Sequence, residues 1–269
     1  MSSGVIIKTP EEIEFIRQSS LLVGKTHAEV AKFIKPGITT QKLNEIAESF
    51  IQDNGATPTF KGYEGYPFGL CISVNSAIVH GFPSKYELKE TDIVSIDCGV
   101  TKNGFIGDSA YTYALAGVEG EFLRLLRITL ECLKIGITFA APGKRIGDIA
   151  YSIQNHAEKN GYSIVRELVG HGVGKKLHEK PEVPNYGKPG NGMKLEEGMT
   201  LAIEPMVNMG RKNIKMLNDG WTIVTADGKP SAHFEHTIAV TKNGADILSS
   251  FEEIEKSIKE NKDLKSING

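Results

Sequence analysis

A run of helix, turn and strand signals occurs twice in this chain at nearly one spacing, and that repeat constrains the fold more than any single motif. Pro36-Gly37 recurs as Pro142-Gly143, Leu43 as Ile149, Ala47 as Ile153 and Asn54-Gly55 as Asn160-Gly161, all at an offset of 106 (142 − 36). Leu88 to Asp97 then lines up with Leu195 to Glu204 at an offset of 107 (195 − 88), with an acid closing each copy. Turn punctuation recurs in any protein that mixes helices and strands. A shared offset that also carries apolar positions and a terminal acid predicts two homologous halves, about 9–115 and 116–249, related by a local two-fold axis.

Within each half the pattern reads as two helices followed by strands. Thr9-Pro10-Glu11-Glu12 is a helix start, with Thr as N-cap, Pro at the first helical position and Glu12 placed to close a capping box. That helix should stop at Pro36-Gly37, and a second, with Leu43, Ile46, Ala47, Phe50 and Ile51 on one face, at Asn54-Gly55. Strands are expected at Leu70–Val74, Ala77–Val79, Ile93–Asp97 and Phe105–Tyr113, with a turn at Asn103-Gly104. Helices return over Glu121–Ile135 and from Ile146 to Asn160-Gly161. The fold class is α+β: an antiparallel sheet with helices packed on one face, in one domain over 1–249. Residues 250–269, with Phe251, Ile254 and Ile258 among lysines and glutamates, read as a solvated helix that frays.

The repeat gives the acids a meaning that they lack singly. Asp97 ends one strand and Asp108 lies eleven positions on (108 − 97), across the turn. Two such acids could simply be solvated at loop ends. The repeat sets Asp97 opposite Glu204 across the two-fold, and asks for a second-half partner of Asp108. Glu235, in the alternating run Ala232–Val240, fills that place, with His233 and Thr237 on its face of the strand. Four converging carboxylates repel unless cations lie between them. His171, bracketed by glycines in Gly-His171-Gly-Val-Gly, is the fifth candidate ligand. A charge of −4 calls for two divalent metal ions, and an oxygen-rich set with one imidazole suits Mn, Fe or Co at least as well as Zn. The chemistry expected of such a centre is metal-assisted hydrolysis. His27, His156, His233 and His236 have no spacing that argues for more than structural or surface roles.

Composition narrows the partners. A net charge of −2 offers no excess of Lys and Arg for phosphate contacts, so no direct nucleic-acid binding is expected. Cys71, Cys98 and Cys132 form no CxxC pair and are odd in number, which suits a reducing, cytoplasmic setting without disulfides. No run approaches the roughly 18 apolar residues of a membrane span, so no membrane partner is expected.

At these residues the chain resembles the type I methionine aminopeptidases, of the pita-bread fold shared with creatinase and prolidase. The resemblance runs from about Thr9 to Ser249 and rests on CISVNSAIVHGFP, VSIDCG, GDSA, GHGVG, IEPM and FEHT in that order. It implies that Asp97, Asp108, His171, Glu204 and Glu235 hold two metals (Co, Mn, Fe or Zn) around a bridging hydroxide, with Glu204 also the general acid/base. It implies further that His80 and His178 contact the scissile peptide and that Tyr63, Tyr66, Cys71 and Trp221 form the methionine pocket. Phe60 stands where bacterial members often carry Cys, and Leu177 where an aromatic is common before His178; both bear on the pocket rim. The implied substrates are N-termini of nascent polypeptides as they leave the ribosome, with a small second residue, cleaved by a monomer. An Xaa-Pro peptidase of the same fold and a non-catalytic binding protein are the alternatives. No long insertion separates His171 from Glu204, which sets the chain apart from type II enzymes.

Overall fold

The structure is a computed structural model and describes residues 4–267. Its helices are α1 (Pro10–Ala31), α2 (Thr40–Asp53), α3 (Glu121–Thr138), α4 (Ile146–Lys159) and α5 (Glu252–Glu260). The capping box at Thr9 forms as its sequence predicts: the Glu12 amide donates to Thr9 Oγ1, and the Thr9 amide to Glu12 Oε2. Helix α1 ends at Ala31, ahead of Pro36-Gly37. Every ladder between named strands among the described residues is antiparallel.

The long hairpin Ile93–Lys102 / Phe105–Leu115 is the backbone of the first half. Asn103 and Gly104 both take positive φ (54° and 75°), the two-residue turn whose twist matches that of paired strands. That turn fixes the register Lys102↔Phe105, and with it Gly99↔Asp108 and Asp97↔Ala110. Asp97 and Asp108 are therefore diagonal neighbours on one face of the hairpin. Both strands run further than their apolar patterns suggest, because the hairpin is covered on both faces. Helix α1 presses so closely on it that a Cβ at Gly107 would lie 2.2 Å from the Ser20 amide nitrogen.

The second half contributes the strands Gly170–Gly172, Thr200–Ile203 and His236–Thr241, which pair in one sheet. One expectation is corrected here. Ala232–Val240 is not a single strand: Ser231–His233 pairs with Met206–Asn208, His236–Thr241 pairs with Thr200–Ile203, and the ladder breaks at Phe234-Glu235. The break lets this segment bond to the first hairpin instead. The Glu235 amide donates to the Ala110 carbonyl at 2.9 Å. Ser109 Oγ donates to the Glu235 carbonyl and Thr112 Oγ1 to the His233 carbonyl, both at 2.6 Å. A seam of hydroxyl groups thus joins the strands that carry Asp108 and Glu235, satisfying backbone groups that a broken ladder would strand.

The C-terminal residues are also corrected. Helix α5 forms, but Ile254 and Ile258 are buried and the helix docks on α1. Asn261 Nδ2 donates to the carbonyls of Ala31 and Ile34, capping the end of α1, and Leu264–Lys265 adds a strand beside Phe105–Leu115. A solvated, fraying tail would leave that apolar face in water; here it closes the core with Tyr111 and Phe234, whose ring centroids lie 5.0 Å apart. No helix among the described residues is long and apolar enough to cross a membrane.

His27 ties α1 to the hairpin, with Nε2 3.0 Å from the Ser109 carbonyl and Nδ1 3.1 Å from Tyr113 Oη. Burial holds its imidazole down to about 4, against an ordinary 6.5, and the Ser109 bond opposes only part of that shift. The unfolded chain takes up this proton first, so the contribution of neutral His27 is whole above pH 6.5 and is lost as pH falls towards 4. The expected loss is about 3 kcal/mol. Denaturant midpoints of the chain and of His27→Gln, compared across that window, should show a flatter slope for the variant; equal slopes would remove His27 as the cause.

Candidate metal and substrate site

The acids converge on one cavity from separate elements of the fold. Asp97 and Asp108 come from the first hairpin, Glu204 follows the strand Thr200–Ile203, and Glu235 sits at the break described above. His171 lies in the strand Gly170–Gly172, whose closeness to its neighbour needs glycine: a Cβ at Gly170 would stand 2.3 Å from the Ala202 carbonyl oxygen. Ligand atoms of Asp108, His171 and Glu235 lie within 4.8 Å of one another. His171 Nε2 is 3.6 Å from Glu204 Oε1 and 3.9 Å from Asp108 Oδ2.

Burial and mutual proximity dominate the electrostatics of these acids. Burial pushes the Asp97 carboxyl up to about 7. Burial, and then neighbouring carboxylates, push Asp108, Glu204 and Glu235 well above the ordinary range. Burial lowers His171 to about 3, so its imidazole is neutral and free to act as a ligand at physiological pH. Asp97 Oδ1, Asp108 Oδ1 and Glu235 Oε1 are buried and accept no hydrogen bond from the protein. Buried acceptors rarely go without a partner. Three such oxygens around one imidazole fit divalent cations with a preference for hard donors.

A cavity of ≈ 290 Å³ opens on these acids, and all eleven residues singled out in the sequence line it. Its polar wall holds His80 and His178. His178 Nδ1 is 2.8 Å from Tyr63 Oη, and its ring centroid is 4.4 Å from that of His171. His80 has φ of +56°, an uncommon conformation for a side-chain-bearing residue, and burial holds its imidazole down to about 4. The apolar wall is Tyr66, Cys71 and Trp221, with Tyr66 and Trp221 edge to face at 5.1 Å. Tyr66 Oη donates towards the carbonyls of Leu70 (3.0 Å) and Gly81 (3.1 Å), which fixes the ring. Phe60 and Leu177, the two departures from the family pattern, both reach this wall, whereas Phe68 packs behind it.

One residue escaped sequence reasoning. His233 is buried, its Nε2 has no hydrogen-bond partner, and that atom lies 3.7 Å from Glu204 Oε2. Its place two residues before Glu235, on the same face, was the available signal.

Residues 14–242 match the model of metallopeptidase family M24. The chain belongs to that family. Among its M24 relatives is the methionine aminopeptidase of Clostridium perfringens, 53% identical over 91% of this chain and 98% of that protein. The crystal structure of the methionine aminopeptidase from Thermotoga maritima superposes with a TM-score of 0.90 at 45% identity, covering 91% of this chain and 99% of that one. The prolidase from Pyrococcus furiosus shares the fold at a TM-score of 0.76 and 26% identity, covering 92% of this chain and 66% of that one. The pita-bread architecture expected from the motifs is thus the architecture of this M24 chain.

Proposed function

We propose that this M24 chain is an aminopeptidase that removes N-terminal methionine from nascent polypeptides whose second residue is small. The observation that carries the reading is one cavity with partnerless buried carboxyl oxygens at its floor, two neutral imidazoles on one wall and an apolar slot on the other. Asp97, Asp108, His171, Glu204 and Glu235 would hold two divalent cations. When bound, such ions act as Lewis acids and acidify water for amide hydrolysis at neutral pH.

The chain's own groups supply the rest. Glu204 takes the proton from the attacking water and delivers it to the departing amide nitrogen. Tyr63, donating to Nδ1 of His178, leaves the Nε2 proton of that imidazole for the substrate carbonyl oxygen, where negative charge develops. His80 contacts the scissile peptide from beside Trp221. Tyr66, Cys71 and Trp221 take the thioether side chain, which suits an apolar slot with a soft lining. The catalytic unit is one domain of two homologous halves, acting as a monomer in the cytoplasm on chains emerging from the ribosome.

Metal-free protein reconstituted separately with Mn, Fe, Co and Zn should cleave Met-Ala-Ser at least about 10-fold faster, in kcat/KM, than Met-Leu-Ser or Ala-Pro-Ser. Chelation should abolish that activity. Preferential cleavage of Ala-Pro-Ser would favour the Xaa-Pro alternative, and no turnover with any metal would remove the enzymatic reading.

A further inference from the structure

The loop that carries His178 is held from outside the site. It runs from Gly174 to Glu179, and the segment before α1 crosses beside it. Val5 bridges to Lys180, and the Lys8 amide donates to the Gly198 carbonyl at 2.8 Å. Lys8 then turns its side chain inward. Its ammonium group donates to Glu179 Oε2 at 2.5 Å and to the Ile6 carbonyl at 3.0 Å, and both side chains of this ion pair are 3% exposed.

Glu179 is where this contact gains reach. Its other oxygen, Oε1, accepts the Lys176 amide at 3.2 Å, which closes the loop on itself. It is the residue directly after His178, and its backbone pairs with Gly172, directly after His171. Gly174 leaves room for the pair: a Cβ there would stand 2.6 Å from both Glu179 Oε1 and Lys8 Cε. On the cavity side the His178 ring bonds to Tyr63, itself on a short turn (Tyr63–Gly65). A buried ion pair adds little net stability, because desolvation offsets much of the attraction.

We propose that Lys8 is a positioning residue: through its buried ion pair with Glu179, the segment before α1 holds the Gly174–Glu179 loop and aims the His178 imidazole into the cavity. Lys8 touches neither substrate nor the ligand acids; it acts through Glu179. What His178 does for the substrate rests on the aminopeptidase reading, but where Lys8 holds it does not.

A double-mutant cycle with Lys8→Met and His178→Ala, assayed on Met-Ala-Ser with the metal-loaded chain, separates positioning from general support. Lys8→Met should lower kcat about 10-fold with KM little changed, and should have less than about a 2-fold effect in the His178→Ala background. Lys8→Arg should restore most of the loss. Equal fold-losses in both backgrounds, or none in either, would overturn the proposal. If Lys8→Met fails to fold, Lys8→Met/Glu179→Leu, which replaces the pair by apolar groups, takes its place with the same expected results. Histidine-labelled NMR of the full chain supplies a readout that needs no turnover. The His178 ring signals should shift in Lys8→Met while those of His27 and His236 stay in place. An unmoved His178 signal counts against the proposal whether or not the chain proves to be an aminopeptidase.

Discussion

Replacing Asp108 with asparagine is expected to remove activity and, in the metal-free chain, to raise stability. The side chain keeps its shape, and the Thr237 bonds to the Asp108 backbone are untouched: the Asp108 amide donates to Thr237 Oγ1, which donates to the Asp108 carbonyl. What changes is that one of four buried carboxyl groups, each costly to ionise there, becomes an amide that is neutral without holding a proton. Burial and the neighbouring Asp97 already push the Asp108 carboxyl well above its ordinary range, so the folded chain resists ionising it. Relief of that cost should raise metal-free stability by about 1–2 kcal/mol, the usual exchange of stability for function at an active site. Turnover of Met-Ala-Ser should fall on the order of 1000-fold, with bound metal lost in parallel. Elemental analysis, thermal unfolding of the metal-free protein and peptide hydrolysis read the three effects. Normal metal content with normal turnover would return the acids to a purely structural role.

Metal addition to the metal-free chain should release protons and stabilise the fold together. Asp97, at about 7, is close to half protonated at neutral pH, and burial pushes Asp108, Glu204 and Glu235 in the same direction. Cations bind the ionised acids, so binding must displace those protons. Apparent affinity should therefore rise with pH through neutrality and fall about tenfold per pH unit for each proton displaced below it. The same shifts make the metal-free chain less stable as pH rises through 7, because the folded acids release their protons later than the unfolded ones. At roughly a thousandfold excess over Kd the gain in stability is about 4 kcal/mol. Calorimetry with Mn in two buffers of different ionisation enthalpy measures the proton count. Affinity independent of pH and buffer would show that the acids are already ionised and that burial is not what raises them.

Much of this site was legible before any coordinates, for a local reason. Asn103-Gly104 is a turn whose geometry fixes its own register, so the diagonal placement of Asp97 and Asp108 follows from a few residues. Glycine spacing around His171 marked a close backbone approach, and Gly170 shows where it is needed. The offset of the repeat relates Asp97 to Glu204 whatever sheets they join.

The misses share the opposite property. The amphipathic face of Phe251, Ile254 and Ile258 was visible, but nothing local says that α1 waits to receive it. Alternation through Ala232–Val240 looked like one strand, because the partners that split it, Met206–Asn208 on one side and Thr200–Ile203 on the other, are set by the fold and not by side-chain period. His233 resembled any buried histidine until its Nε2 was seen to face Glu204.

The sequence by itself carried the repeat and the five acid and imidazole ligand candidates, because turns, periodicity and glycine act over a few residues, while the family resemblance supplied the residues of the cavity wall. Only the tertiary structure decided which buried atoms lack partners, where the C-terminal helix docks and that Lys8 meets Glu179. Those depend on groups far apart in the chain brought within a few ångströms, and packing, not local preference, selects among such encounters.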